Sequence, residues 1–474
     1  MDGLECSEIQ LSMLDTSGRI DPEFYKKRYL KDVEIIQHSN HKLLSAIADF
    51  VVGPFGSAYD TNNYVENPGF RYIRGQDVQP FILNYSSPKY MSEKDYKRLS
   101  RYALQQDDIL VSVVGTIGNA CIITSNDVPA IFSCKSTAIR SKAINPYFLV
   151  TFLNSKYGHD LLSRRERGAV QKGINLEDLK SIAVPSLSDG FQSMIEKSLK
   201  MSGRLLNNSQ NLMASANQIL NAGISLPNES SSTNNISIRF FSESFGKTGR
   251  LDAEYYQKKY DELLAFIKKG TYSRLIDLAD ISKSIEPGSK AYCDDGIPFI
   301  RISDFSKYGF TTPDKYLEPH GDYDLPELYL KKDEILFSKD GSIGIAYKVE
   351  RDTKAITSGA LLHLKIKKDA AIIPDYLTAV LNSDVVHLQA ERDAGGSIIN
   401  HWKPSEIEEI LIPILPINKQ QDISAKIVHS FALKHKSEQL LETAKQAVEM
   451  AIEKDEEVAI RWLNERRKEI ENIN

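Results

Sequence analysis

The chain repeats itself. Gly18-Arg-Ile-Asp-Pro-Glu-Phe-Tyr25 returns 231 positions later as Gly249-Arg-Leu-Asp-Ala-Glu-Tyr-Tyr256. Tyr72-Ile-Arg-Gly-Gln-Asp77 returns as Phe299-Ile-Arg-Ile-Ser-Asp304. Asp107-Asp-Ile-Leu-Val-Ser112, followed by Gly115-Thr-Ile-Gly118, returns as Asp333-Glu-Ile-Leu-Phe-Ser338, followed by Gly341-Ser-Ile-Gly344. Leu153-Asn-Ser155 and the stretch 179–185 return as Leu381-Asn-Ser383 and 407–413, and every offset lies between 226 and 231. This is a duplication with small loop insertions and deletions. A single core rarely exceeds about 250–300 residues, so 474 residues in two copies are expected to build two domains of one design.

Each copy reads α+β. A Tyr/Lys-rich helical pattern leads in (24–37 and 255–269). Short apolar runs broken by Gly, Pro, Asn and Asp follow at Ile73, 109–114 and 121–124, and at Ile300, 335–338 and 343–349. A helical pattern covers 146–162 and 374–390, then come a glycine-bearing loop and a short strand ending in Pro. Each copy closes on a long heptad seam. In the first, Ile195, Leu199, Ser202, Leu206, Ser209, Met213, Ala216 and Leu220 recur at spacings of four and three. Such a helix would be roughly 45 Å long. In the second, Ile423, Ile427, Ser430, Leu441, Ala444 and Val448 lie 228 positions after their counterparts, and the seam runs on through Ala451, Val458 and Trp462. Lys434 and Asp455 interrupt it, which reads as a frayed or solvent-facing stretch. Between the copies, 225–237 is polar and turn-rich and reads as a linker.

Composition narrows the function classes. Net charge is −5 and the pI is near 6.1, which argues against binding nucleic acid by bulk charge alone but leaves local basic loops open. No apolar run reaches the roughly 18–20 residues of a membrane span, and the first 20 residues lack a signal pattern, so a soluble, cytoplasmic protein is expected. Cys6, Cys121, Cys134 and Cys293 form no CxxC pair and suggest neither zinc nor disulfides. No metal site is indicated.

Enzyme motifs fail on spacing. Gly246-Lys247-Thr248 lacks the upstream glycine of a phosphate loop, since Phe241 stands there. Gly53-Pro-Phe-Gly56 and Gly115-Thr-Ile-Gly118 lack the GxGxxG pattern. Asn145-Pro146-Tyr147 reads as a helix start. Asp107-Asp108 and Asp333-Glu334 directly precede strands and read as turn ends. No catalytic residues are assigned, and the chain is read as a non-enzyme.

The polar loops say more. Residues 85–102 interleave Lys89, Lys94, Lys97, Arg98 and Arg101 with four tyrosines. Such a stretch suits phosphate contact, or equally a solvated helix face. Residues 164–172 combine Arg164, Arg165 and Arg167 with Gln171 and Lys172, side chains suited to guanine and adenine edges. The counterpart, 391–403, keeps the glycine but carries Arg392, Asn400, His401 and Lys403 instead. Scaffold positions agree while loop residues differ, as expected if two related domains read different targets.

With these residues in place, the sequence resembles the specificity subunit of a type I restriction–modification system. The resemblance covers nearly the whole chain. It rests on Gly53-Pro-Phe-Gly-Ser57, Tyr72-Ile-Arg-Gly-Gln-Asp77, the paired Gly-x-Ile-Gly loops, Gln171-Lys-Gly-Ile174, and Ile412-Pro-Ile-Leu-Pro416 with Gln420-Gln421 opening the second long helix. The first copy departs from that signature, with Val184-Pro-Ser-Leu-Ser188 followed by Phe191-Gln192.

The resemblance implies an α+β fold in which two target-recognition domains are joined by two long helices. These would form an antiparallel coiled coil within a pseudo-twofold repeat. The expected boundaries are 1–190 for the first domain, 191–222 for the central helix and 223–248 for the linker. The second domain would span 249–416 and the C-terminal helix 417–474. It further implies recognition of a bipartite double-stranded DNA target, with adenine methyltransferase and motor/nuclease subunits as partners. S-adenosylmethionine, ATP and Mg would belong to those partners, leaving no cofactor in this chain. Expected DNA contacts are Arg74, Lys97, Arg98, Arg164, Arg165, Arg167, Gln171 and Lys172 in the first copy, and Arg301, Lys339, Arg392, Asn400, His401 and Lys403 in the second. Arg74 and Arg301 match between copies, so a role in the fold is equally open. Leu199, Leu206, Met213, Leu220, Ile427, Leu441 and Val448 mark the helices expected to dock partners. The alternative reading is a duplicated protein-interaction scaffold or regulatory subunit without DNA readout.

Overall fold

The structure, a computed structural model, describes residues 5–15, 18–66, 69–168, 171–224, 236–319, 325–395 and 400–472. Two compact units emerge. Unit 1 is Met1–Asn207 with Leu433–Asn474, and unit 2 is Asn208–Ala432. The unit boundaries cut both long helices near their middles.

In unit 1 a four-stranded antiparallel sheet runs in the order Ala48–Val52, Ser136–Ser141, Ile109–Ser112, Ala120–Ile122. Beside it, Phe70–Ile73 pairs antiparallel with Lys89–Met91 and parallel with Ala130–Phe132. Unit 2 repeats the first sheet strand for strand: Ala279–Lys283, Leu361–Ile366, Ile335–Ser338, Ala346–Lys348. Its Ile297–Ile300 likewise pairs antiparallel on one side and parallel on the other. The inner strand Ser136–Ser141 escapes a sequence reading because Ser-Thr-Ala-Ile-Arg-Ser has no apolar run. Sheet neighbours on both sides bury it nonetheless.

The expected single helices over 146–162 and 374–390 are each two. Pro146–Asn154 and Lys156–Arg164 break at Ser155, which is extended and whose hydroxyl accepts from Gly158 N–H. A side chain at Gly158 would come within 2.0 Å of the Phe152 carbonyl, so the corner requires glycine. Pro374–Leu381 and Asp384–Asp393 form the matching pair. Asn145 caps its helix as the sequence implies, accepting from Tyr147 N–H at 2.9 Å with Pro146 at N1. Asp107 and Asp333 both adopt positive φ (68° and 66°) and turn the chain into a strand, as read from the sequence.

The repeated Gly-Arg-x-Asp segment has a local cause. Arg19 pairs with Asp21 at 2.6 Å, and the Tyr25 hydroxyl donates back to the Arg19 carbonyl at 2.9 Å. Arg250 pairs with Asp252 at 2.6 Å, and Tyr256 closes on the Arg250 carbonyl at 3.1 Å.

The first long helix spans Asp189–Ile224 and the second Ile417–Glu453. The glutamine opening each is used identically. Gln192 accepts from Asn145 N–H and donates to the Leu187 carbonyl, while Gln420 accepts from Ile373 N–H and donates to the Leu415 carbonyl. The weaker signature of the first copy therefore leaves this anchor intact. Unit 1 builds its core from Ile195 and Leu199 together with Ala444, Ala447 and Val448. Unit 2 does the same with Ala216, Leu220, Ile423 and Ile427. Leu199, Leu220, Ile427 and Val448, expected to mark partner docking, are buried in these cores. Their side chains serve intrachain packing. Leu206, Met213 and Leu441 are half-buried.

The second seam is not frayed beyond its interruption. A new helix, Glu456–Asn472, begins there, with Asp455 accepting from Val458 N–H at 2.8 Å. It buries Ala459 and Leu463 in the unit 1 core, and Glu456 holds the Ser188 N–H at 2.9 Å.

Candidate nucleic-acid interface

Backbone hydrogen bonds line up four loops in unit 1. Gly53 N–H reaches the Ser136 carbonyl, and a Cβ on Gly53 would lie 2.2 Å from the Ser133 carbonyl. Ser133 N–H donates to the Ile73 carbonyl, and the Lys135 carbonyl accepts from Val113 and Val114 at 2.9 and 3.3 Å. Ile174 N–H then donates to the Val113 carbonyl at 2.9 Å. The 53–57, 133–135, 113–118 and 171–174 loops are thus stitched side by side.

Unit 2 carries the same stitching. Gly359 N–H donates to Ile285, Ser358 to Ile300, Lys339 to Ala360, and Trp402 to Lys339, all at 2.8–2.9 Å. Gly118 and Gly344, at φ +89° and +76°, each back onto a histidine, His159 and His387. The frame is shared; what it displays differs. Lys135 stands where unit 2 has Ala360, Val114 where it has Asp340, and Gly173 where it has His401.

The expected contact residues divide sharply on this frame. Gln171 and Lys172 are exposed in the fourth loop of unit 1, with Lys172 paired to Glu166 at 3.1 Å. Asn400 and His401 are exposed at the matching place in unit 2. There Asp340 sits between two side chains: it pairs with Lys339 and lies 2.8 Å from His401 Nδ1. Lys403 is exposed, 3.5 Å from Glu406.

The arginines go elsewhere. Arg164 is buried, its Nε donating to the Phe24 carbonyl at 2.9 Å and its guanidinium 3.9 Å from the Phe24 ring centre. Burial, aided by the neighbouring Arg165 charge, pulls its pKa down to about 10. Arg165 pairs with Asp15 at 3.4 Å, and Arg167 chelates Asp178 at 2.5 and 2.9 Å. Arg392 grips Asp393 in the same way at 2.6 and 2.9 Å.

Arg74 holds Asp77 through both guanidinium nitrogens and its backbone N–H, and that hydrogen bonding raises its pKa. Arg301 mirrors it with Asp304 and also reaches Asp314. Matching in both copies thus reflects one shared turn. Lys97 pairs with Glu93 at 2.7 Å, while Arg98 is shared between Asp95 and the Ala58 carbonyl.

Two residues on this face were not among those expected from sequence. Lys135 is exposed, and no carboxylate pairs with it among the described residues. Phe55, between Pro54 and Gly56, is 84% exposed. The signal for Lys135 was the mismatch with Ala360, visible only once strand pairing aligns the two copies. Among the described residues no group of His, Cys, Asp and Glu could hold a metal ion. Among the described residues no helix is long and apolar enough to cross a membrane.

No family model matches the chain, and no curated protein matches it. Solved structures do. The chain is similar to type I restriction–modification S subunits. The S subunit from M. genitalium is 11% identical, with 90% of this chain and 95% of that one covered and a TM-score of 0.40. The HsdS subunit from Thermoanaerobacter tengcongensis is 14% identical over 90% and 96%, with a TM-score of 0.28. A structure described as showing complex assembly and conformational transition of the type I R-M system has the same identity and score over 90% and 97%.

Proposed function

We propose that this chain is the sequence-specific DNA-binding subunit of a type I restriction–modification complex. Each four-loop face reads one half of a bipartite duplex, and the long helices set the spacing and scaffold methyltransferase and restriction subunits. One observation carries the reading: two copies keep the same backbone stitching while their tips diverge to exposed Lys135 and Gln171 in one, and to half-buried Asp340 with exposed Asn400 and His401 in the other. Backbone-held loops place side chains with the precision that base edges demand. Gln and Asn suit adenine, a carboxylate accepts from cytosine, and lysine serves guanine or phosphate. The chain itself contributes recognition, and chemistry on the bound DNA would fall to the partners.

Selection from a randomised duplex library by the purified chain tests this. The expected result is two short conserved words separated by a fixed gap. Binding should fall steeply with salt through counterion release. Enrichment of no sequence, with salt-insensitive binding, overturns the proposal in favour of a protein-interaction scaffold.

A further inference from the structure

Single exposed apolar residues need no explanation, but Phe55 differs from such residues in three ways. Its backbone is fixed: Ala58 N–H donates to the Phe55 carbonyl at 2.8 Å, and Gly53 is pressed against Ser133. The held loop presents the ring to solvent. Second, the Ser133–Lys135 loop against which Gly53 packs ends in an exposed cation without an acidic partner among the described residues. Third, the fold does not need an aromatic there. In unit 2 the matching turn is closed by Ala291 N–H on the Gly288 carbonyl at 3.1 Å, as Ala58 N–H closes on Phe55, so glycine stands at this position.

We propose that Phe55 is a wedge that enters the base stack of the half-site read by unit 1, with Lys135 holding a phosphate beside it. The inference rests on the DNA-reading proposal above and adds an asymmetry to it. An apolar side chain inserted at a base step unstacks the pair and kinks the duplex. The glycine at the matching point of unit 2 has no side chain to insert. Unit 1 thus deforms its half-site, and unit 2 reads its own without this distortion. Flexible pyrimidine–purine steps accept such a wedge most easily, so one is expected beneath Phe55.

The test uses the full-length chain and duplexes enriched from the randomised library, each carrying a single 2-aminopurine at successive positions. Fluorescence should rise on binding at one step in one half-site only. Phe55→Ala should abolish the rise and weaken binding on the order of tenfold, while Phe55→Leu keeps part of both. Lys135→Gln should lower the slope of log affinity against log salt by about one and leave the fluorescence change in place. Because both side chains are exposed, thermal melting of these variants should match that of the parent. Salt-dependent, sequence-selective binding without a fluorescence change, or with an unchanged one in Phe55→Ala, overturns the wedge but leaves DNA reading standing. That outcome would make Phe55 a protein contact. Absence of selective duplex binding by the parent overturns both.

Discussion

Ser202 and Ser437 hydrogen-bond to each other across the two long helices of unit 1. Their hydroxyls are 2.8 Å apart, and each also reaches the other's backbone carbonyl at 3.0 Å. In unit 2, Ser209 and Ser430 meet at 2.9 Å. Seven residues forward on one helix are matched by seven back on the other, so the helices are antiparallel. The repeat exchanges the pairs, because Ser202 corresponds to Ser430 and Ser209 to Ser437. Serine suits this buried layer because a small side chain permits close backbone approach while its hydroxyl finds a partner.

Ser202→Ala should lower the unfolding free energy by about 1 kcal/mol, the usual net value of one hydrogen bond. Ser202→Leu should cost more, about 1–3 kcal/mol from overpacking alone. Urea unfolding of both variants checks the order; a leucine variant as stable as the parent would mean the layer is loosely packed.

The serine registers also say where a spacer is to be lengthened. One heptad inserted in each long helix, between Ser202 and Ser209 and between Ser430 and Ser437, adds roughly 10 Å. At about 3.4 Å per base pair, the gap between half-sites should grow by about three base pairs with both words unchanged. Library selection with the lengthened chain measures it, and an unaltered gap would count against the helices as the ruler.

Arg164 and Gln171 should behave oppositely although only seven residues separate them. Arg164→Ala removes a buried guanidinium stacked on Phe24 and hydrogen-bonded to its carbonyl. It should destabilise unit 1 by about 2–3 kcal/mol without changing base preference. Gln171→Ala should leave melting unchanged and relax preference at one position of one half-site. Thermal melts and selections on both variants separate the two roles.

Asp32 introduces a pH dependence. Asp32 is buried, with Lys156 4.0 Å away. Arg28, Lys31, Tyr157, Glu449 and Glu453 complete its charged surroundings. Burial first, then the hydrogen bond with Asp160, pushes its pKa up to about 6. Between about pH 4 and 6 the folded chain holds a proton that the unfolded chain has released. Stability should therefore fall as pH rises through this window and level off above it. At the matching positions unit 2 has Leu263 and Leu388, both within its core. Asp32→Leu combined with Asp160→Leu should remove the slope and stabilise unit 1 at neutral pH by about 1–2 kcal/mol, as measured by urea unfolding from pH 4 to 8.

How much of this was legible beforehand depends on the range of the interaction. The duplication, the Asn145-Pro146 cap, the aspartate turns and the heptad seams are local patterns, and the sequence by itself determined them, because each is set by contacts a few residues apart or by repetition along the chain. The inner strand Ser136–Ser141, the corner at Ser155 and Gly158, and the second start at Asp455 were decided by what packs around them. Tertiary structure also decided which charged groups face solvent. Arg164 and Arg167 look like contact residues in a basic loop, yet each is held by a carbonyl or carboxylate brought to it by folding, whereas Lys135 looks ordinary and has no acidic partner among the described residues. Composition tells how many cations a chain has; only the pairing of distant segments fixes which remain free to meet a phosphate, because an ion pair forms where two side chains are brought together, however far apart they lie in sequence.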